Sequence, residues 1–85
     1  MKIHEGIMGY DSLHVAWNMF RGTSISGFYR DLPQLVDADR MFFGCSSLVE
    51  FKNGDMNKLT SASEMFRNCT NLTTFYSSMS SLADN

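Results

Sequence analysis

Residues 35–51 read LVDADRMFFGCSSLVEF, and residues 59–75 read LTSASEMFRNCTNLTTF, the same frame displaced by 24 positions. Upstream, residues 13–28 (LHVAWNMFRGTSISGF) carry it again, displaced by 22 at the start and one residue shorter. The shared pattern is L-x-x-A-x-x-M-F-x-[GN]-[CT]-x-x-[LI]-x-x-F. A further unit opens at Phe75, Met79, Leu82 and Ala83, and the stretch around Ile3, Ile7 and Tyr10 reads as a degenerate terminal cap. Periods of this length signal stacked repeats, in which one unit cannot cover its own apolar face but neighbours can. The chain then divides into a cap (1–12), three repeats (13–34, 35–58 and 59–81) and the start of an incomplete unit (82–85), all within one 85-residue domain.

Within a unit, Ala38, Met41, Phe42 and Cys45 fall at i, i+3, i+4 and i+7, as do Ala62, Met65, Phe66 and Cys69, with Ala16, Met19, Phe20 and Thr23 in the first. That spacing predicts one apolar stripe on a short helix. Ser61 and Glu64 have the spacing of a capping box, and Asp37 that of an N-cap. Gly22, Gly44 and Asn68 follow in one register, residue types that tolerate the left-handed conformation ending a helix. Short strands are expected next, over 26–29, 49–52 and 73–76, with Phe28, Phe51 and Phe75 pointing inward. Pro33 falls in the strand-to-helix connection, where no ladder N–H is needed. The expected class is α/β: a solenoid of about three 22–24-residue coils, each a short helix plus a short strand paired in parallel with its neighbour.

Composition excludes several functions. At 44% hydrophobic and 13% aromatic the chain is too apolar for disorder. Its net charge is −2, and the seven basic residues are scattered, so no stripe exists to neutralise phosphates and nucleic acid is not an expected partner. No apolar run approaches the roughly 20 residues of a membrane span, so no insertion is expected. The N-terminus lacks the continuous apolar segment of a Sec signal peptide. A cytoplasmic protein, a virion component made in the cytoplasm and a piece of a larger exported chain all fit these facts.

Few residues suggest chemistry. Cys45 and Cys69 share one repeat position and would stack as small core groups; a disulfide between them is the alternative, and two cysteines with no nearby histidine make a poor zinc site. His4 and His14 lack ligand partners at metal spacing. The serines and threonines stand in no nucleophile motif, and Asp37 and Asp39 match no calcium loop. No enzymatic activity, metal or cofactor is expected. Met and Phe at strict repeat spacing read as core, not as a groove.

The run Met41-Phe42-x-Gly44-Cys45-x-x-Leu48-x-x-Phe51, with Met65-Phe66-x-Asn68-Cys69-x-x-Leu72-x-x-Phe75, resembles the BspA-like leucine-rich repeats. It is most similar to the Met-Phe/Cys variety of bacterial surface lipoproteins and of tail-associated proteins of gut bacteriophages and prophages. The resemblance spans about residues 13–85 and departs in the first unit, where Thr23 replaces the cysteine. It implies a right-handed solenoid with a parallel sheet on one face and no catalytic residues. It also implies a binding or structural role on a virion or bacterial cell surface. On the leucine-rich pattern the residues flanking each inward phenylalanine face a ligand: Gly27 and Tyr29, Glu50 and Lys52, Thr74 and Tyr76. Tyr29, Lys52 and Tyr76 would form one column, either a contact strip for a host protein or surface glycan or a merely solvated face. An open last coil would also suit stacking against a second copy or another virion subunit.

Overall fold

Among the described residues four strands form one parallel sheet in the order of the chain: β1 (Lys2–Ile3), β2 (Gly27–Phe28), β3 (Glu50–Lys52) and β4 (Thr74–Tyr76). The register repeats the sequence frame, pairing Lys2 with Gly27, Gly27 with Glu50, and Glu50 with Thr74. The computed structural model describes residues 2–3, of these the backbone alone, and residues 10–82. Of the residues discussed above, His4, Ile7 and Ala83 lie outside that range. β1 gives the supposed cap a strand that joins the sheet.

The expected helices are not there. Among the described residues the sole helical element is a 3-10 turn at Tyr10–Ser12. The chain between the strands is instead a ribbon of tight turns. In the first, the N–H groups of Met19, Arg21 and Thr23 donate to the carbonyls of Ala16, Asn18 and Phe20, three residues back. The alternate N–H groups, from Ala16, Asn18, Phe20 and Gly22, leave the segment altogether. They donate to the carbonyls of Asp37, Asp39, Met41 and Phe43 in the neighbouring ribbon. Ala38, Arg40, Phe42 and Gly44 do the same toward Ser61, Ser63, Met65 and Arg67. An α-helix keeps every interior N–H for the carbonyl four residues back, and here half of them serve as rungs between layers.

Backbone angles enforce this. Asn18, Arg40 and Glu64 have φ of 56°, 55° and 54°, four residues ahead of Gly22, Gly44 and Asn68 at 67°, 73° and 65°. Each is the third residue of a turn, where a type II turn requires positive φ. A left-handed residue inside the segment is incompatible with a right-handed helix. The capping readings fail for the same reason. Glu64 turns away to Arg40 and Arg67, and the Asp37 carboxylate accepts from the Asp39 N–H, an Asx turn. The α/β solenoid of helix-bearing coils is therefore wrong: the molecule is a compact, helix-poor body of 31 × 27 × 20 Å built on a parallel sheet.

The apolar stripe of the second unit is nonetheless the interior, because consecutive turns return a side chain to one face every three or four residues, as a helix does. In the first unit Met19 is exposed, and in the third Ala62, Phe66 and Cys69 are only partly buried. Ala38, Met41, Phe42 and Cys45 are fully buried, together with Ile25, Leu32, Leu35, Leu48, Met56 and Leu59. Pro33 is the second residue of a turn closed by the Leu35 N–H and the Leu32 carbonyl, a position its fixed φ suits. Two columns of phenylalanine run through the centre. Phe20, Phe42 and Phe66 stack at 5.4 and 5.5 Å between ring centroids, and Phe28, Phe51 and Phe75 at 5.5 and 5.4 Å. The columns meet edge to face, with Phe42 against both Phe28 and Phe51 at 5.4 Å. Burying one such ring contributes about 1.5–3 kcal/mol, and each ring pair about 0.5–1.5 kcal/mol beyond that.

Candidate functional site

The outer face of the sheet carries the predicted contact residues, but not in the predicted arrangement. Lys52 and Tyr76 are paired in register and both exposed, Tyr76 to 70%. Glu50 and Thr74 are paired beside them, each half-buried. Tyr29 does not complete the column. It lies over Gly27, where a Cβ would stand 2.7 Å from its hydroxyl, and donates that hydroxyl to Glu50 Oε1 at 2.6 Å. The missing side chain at Gly27 makes room for the ring.

The electrostatics follow from that contact. The hydrogen bond to the Glu50 carboxylate, partial burial and the adjacent negative charge all favour the neutral phenol, so the Tyr29 pKa is raised. Ser26, Tyr29, Val49 and Glu50 line a shallow cleft of about 290 Å³ at this end of the face. The face thus divides into a Tyr29–Glu50 pair held in place and an open Lys52–Thr74–Tyr76 patch. No family model, curated protein or solved structure matches the chain.

The cysteines have a structural task. Cys45 Sγ donates to the Phe20 carbonyl at 2.9 Å, and Cys69 Sγ to the Phe42 carbonyl at 3.0 Å. Thr23 occupies the same repeat position but makes a different bond: its hydroxyl donates to the carbonyl of Phe20 in its own turn, three residues back, at 2.8 Å, where each thiol reaches the preceding ribbon. Both thiols are free, so the disulfide alternative falls, and burial raises the Cys69 pKa. Among the described residues no three His, Cys, Asp or Glu side chains gather closely enough to hold a metal ion.

Two further surfaces stand out, the first at the open last unit that the sequence suggested and the second unforeseen. Ala62, Met65, Phe66, Phe75, Met79 and Leu82 line an apolar groove of about 220 Å³, in which Phe75 is 50% exposed. It lies at the end of the stack, where β4 and residues 79–82 stand beyond the last turn ribbon. Repeat spacing identifies core positions but not which layer of them is left uncovered. The other is the corner of Trp17, which is 61% exposed although Asp39 and Ser63 hold the corresponding positions in the next ribbons. The signal was present: an indole where the frame elsewhere carries small polar groups.

Proposed function

We propose that the protein is a non-enzymatic display module whose contact surface is the outer sheet face, in the setting of a virion or bacterial surface. The observation that carries this reading is the in-register Lys52–Tyr76 pair, exposed beside Glu50 and Thr74 on a parallel sheet. A short sheet braced by stacked phenylalanines is rigid, so these side chains are presented with little ordering cost on binding. Tyrosine adds contact area with few rotatable bonds, and the lysine and glutamate give the patch both signs of charge. Tyr29 acts within this reading as a brace for Glu50. The resemblance of the repeat to phage-tail and surface-protein repeats supports the setting, and the expected partner is a host protein or surface glycan. The test is binding of fluorescently labelled protein to a panel of intact bacterial cells. Saturable binding lost on Lys52→Glu with Tyr76→Ala supports the reading; binding indifferent to both substitutions, or absent throughout, defeats it.

The apolar groove favours a second reading, assembly. A second copy or a companion subunit would cover Phe66, Phe75, Met79 and Leu82. Light scattering across a concentration series separates the two readings. A monomer at every concentration counts against assembly, whereas a defined oligomer dispersed by Phe75→Glu counts for it.

A further inference from the structure

Trp17 is the chain's one tryptophan, and it stands in the open. An indole this exposed removes little apolar area from water and so contributes little to the fold. Its surroundings are built by the interlayer ladder: the Asn18 N–H donates to the Asp39 carbonyl at 3.2 Å, which sets Trp17 and Asn18 against Asp39 and Arg40 of the next ribbon. These four residues line a shallow cleft of about 250 Å³.

The polar members are held in place by bonds that leave part of their capacity over. Asp39 Oδ1 accepts from Ser61 Oγ at 2.7 Å and from the Ser63 N–H at 2.8 Å. A carboxylate has about four lone-pair sites, so acceptor capacity remains. Arg40 gives its Nε to Glu64 Oε1 at 2.8 Å, one of the five N–H donors of a guanidinium. Asn18 Oδ1 accepts from Arg21 Nη1 at 3.2 Å, which leaves the amide NH2 as a donor. The cleft therefore offers a flat apolar ring, one anionic acceptor and two sets of donors side by side.

Charge narrows the ligand. Asp39 opposes an anion and Arg40 opposes a cation, so neither a phosphate nor a lysine side chain is favoured. A neutral polyol satisfies the whole set: a C–H face packs on the indole, one hydroxyl donates to the Asp39 carboxylate, and its neighbour accepts from Arg40 or Asn18. We propose that the Trp17–Asn18–Asp39–Arg40 cleft is a binding site for a neutral saccharide. It involves none of the sheet-face residues and does not depend on the display reading.

The lone indole makes the site directly measurable. The intact chain is titrated with maltotriose, cellotriose, mannotriose and triacetylchitotriose while tryptophan emission is followed, with trilysine and inorganic phosphate as ionic controls. The expected result is a saturable shift with at least one sugar, at least about tenfold weaker in Arg40→Ala. Trp17→Ala, read by calorimetry with the same sugar, is expected to abolish binding; at this exposed position the variant folds, and its melting curve checks that. Asp39→Asn keeps an acceptor for Ser61 and Ser63 and is expected to weaken binding without loss of fold. The proposal is overturned if no sugar gives a saturable response up to about 50 mM, a concentration that would reveal affinities far weaker than 1 mM. It is equally overturned if trilysine or phosphate saturates the signal and the sugars do not, or if the sugar response survives Arg40→Ala and Asp39→Asn unchanged.

Discussion

The hydroxyl of Tyr29 reaches Glu50 Oε1 at 2.6 Å across a residue with no side chain, Gly27, and the contact depends on that absence. A Cβ at Gly27 would meet Tyr29 Oη at 2.7 Å, Cε2 at 2.8 Å and Cζ at 2.9 Å. All three atoms belong to the outer part of a side chain that can swing away, so the backbone need not move. Gly27→Ala is expected to break the Tyr29–Glu50 hydrogen bond. The loss is about 1.5 kcal/mol, the low end for a bond to a charged group since the pair is near solvent, partly offset by the better strand propensity of alanine. Urea unfolding should show a net cost near 1 kcal/mol. Adding Tyr29→Phe to Gly27→Ala should then cost little more, and a full additive loss would mean that the ring keeps its bond in the variant.

The same pair predicts a pH dependence at the alkaline end. Tyr29 holds its proton more tightly folded than unfolded, since the Glu50 carboxylate accepts from the phenol and opposes its ionisation. The stability that the pair contributes is therefore present below the ordinary tyrosine value and declines as pH rises through the higher folded value. Absorbance titration near 295 nm should reveal one tyrosine ionising late in the wild type. In Glu50→Gln that step should move to lower pH.

Gly44 tests the turn ribbon. Its φ is 73° and nothing lies within 4 Å of where a Cβ would stand, so substitution there strains the backbone without a clash. Gly44→Val is expected to cost more than about 1 kcal/mol, because a β-branched residue resists the left-handed region. Gly44→Asn should cost distinctly less, since Asn68 already holds the equivalent position at φ 65°. Thermal melts of the two variants decide the matter. Equal losses would point to an unseen steric conflict and away from backbone conformation.

These residues also show where a sequence can mislead. The Ala-x-x-Met-Phe-x-x-Cys spacing correctly marked Ala38, Met41, Phe42 and Cys45 as interior, but a helix and a ribbon of turns share that periodicity. What separates them is the destination of the alternate N–H groups, and a single unit cannot show this because the acceptors lie in the next one. Left-handed arginine and glutamate at positions 40 and 64 were equally hidden, since neither residue type announces positive φ. A segment of eight residues from Ala38 to Cys45 was short for a helix, whose nucleation is costly, and that was the available warning. On the sheet face, alternation placed Lys52 and Tyr76 outward, while the displacement of Tyr29 arose from a neighbour's missing Cβ.

Asp39 should contribute to the acid sensitivity of the fold. Hydrogen bonds from Ser61 Oγ and the Ser63 N–H hold its carboxylate pKa below the ordinary value. A depressed folded value means that the contribution is present above the unfolded value, about 3.9, and is lost as pH falls through the folded one. The group is near solvent, so the effect is modest. Melting temperature is expected to fall between about pH 5 and pH 3 in the wild type. Asp39→Asn should lower it at pH 7 and flatten that decline. A decline of unchanged depth in the variant would assign the acid transition to other carboxylates.

The two phenylalanine columns make opposite predictions at their middle and their end. Phe42 is fully buried, stacked between Phe20 and Phe66 and edge-on to Phe28 and Phe51, so Phe42→Ala removes a ring touched from four sides. Such a truncation costs about 3–5 kcal/mol, a large share of the roughly 4–13 kcal/mol that about 0.05–0.15 kcal/mol per residue allows a chain of this size. Phe75 is half exposed and stacks on Phe51 from one side, with Phe66 at its edge. Phe75→Ala should therefore cost much less, about 0.75–1.5 kcal/mol by halving the area removed from water. Urea unfolding at low protein concentration measures both. The comparison gains force when repeated at high concentration. If a second copy covers the groove, the cost of Phe75→Ala should rise with concentration while that of Phe42→Ala stays fixed, because only the former residue would then lose a partner from outside the chain.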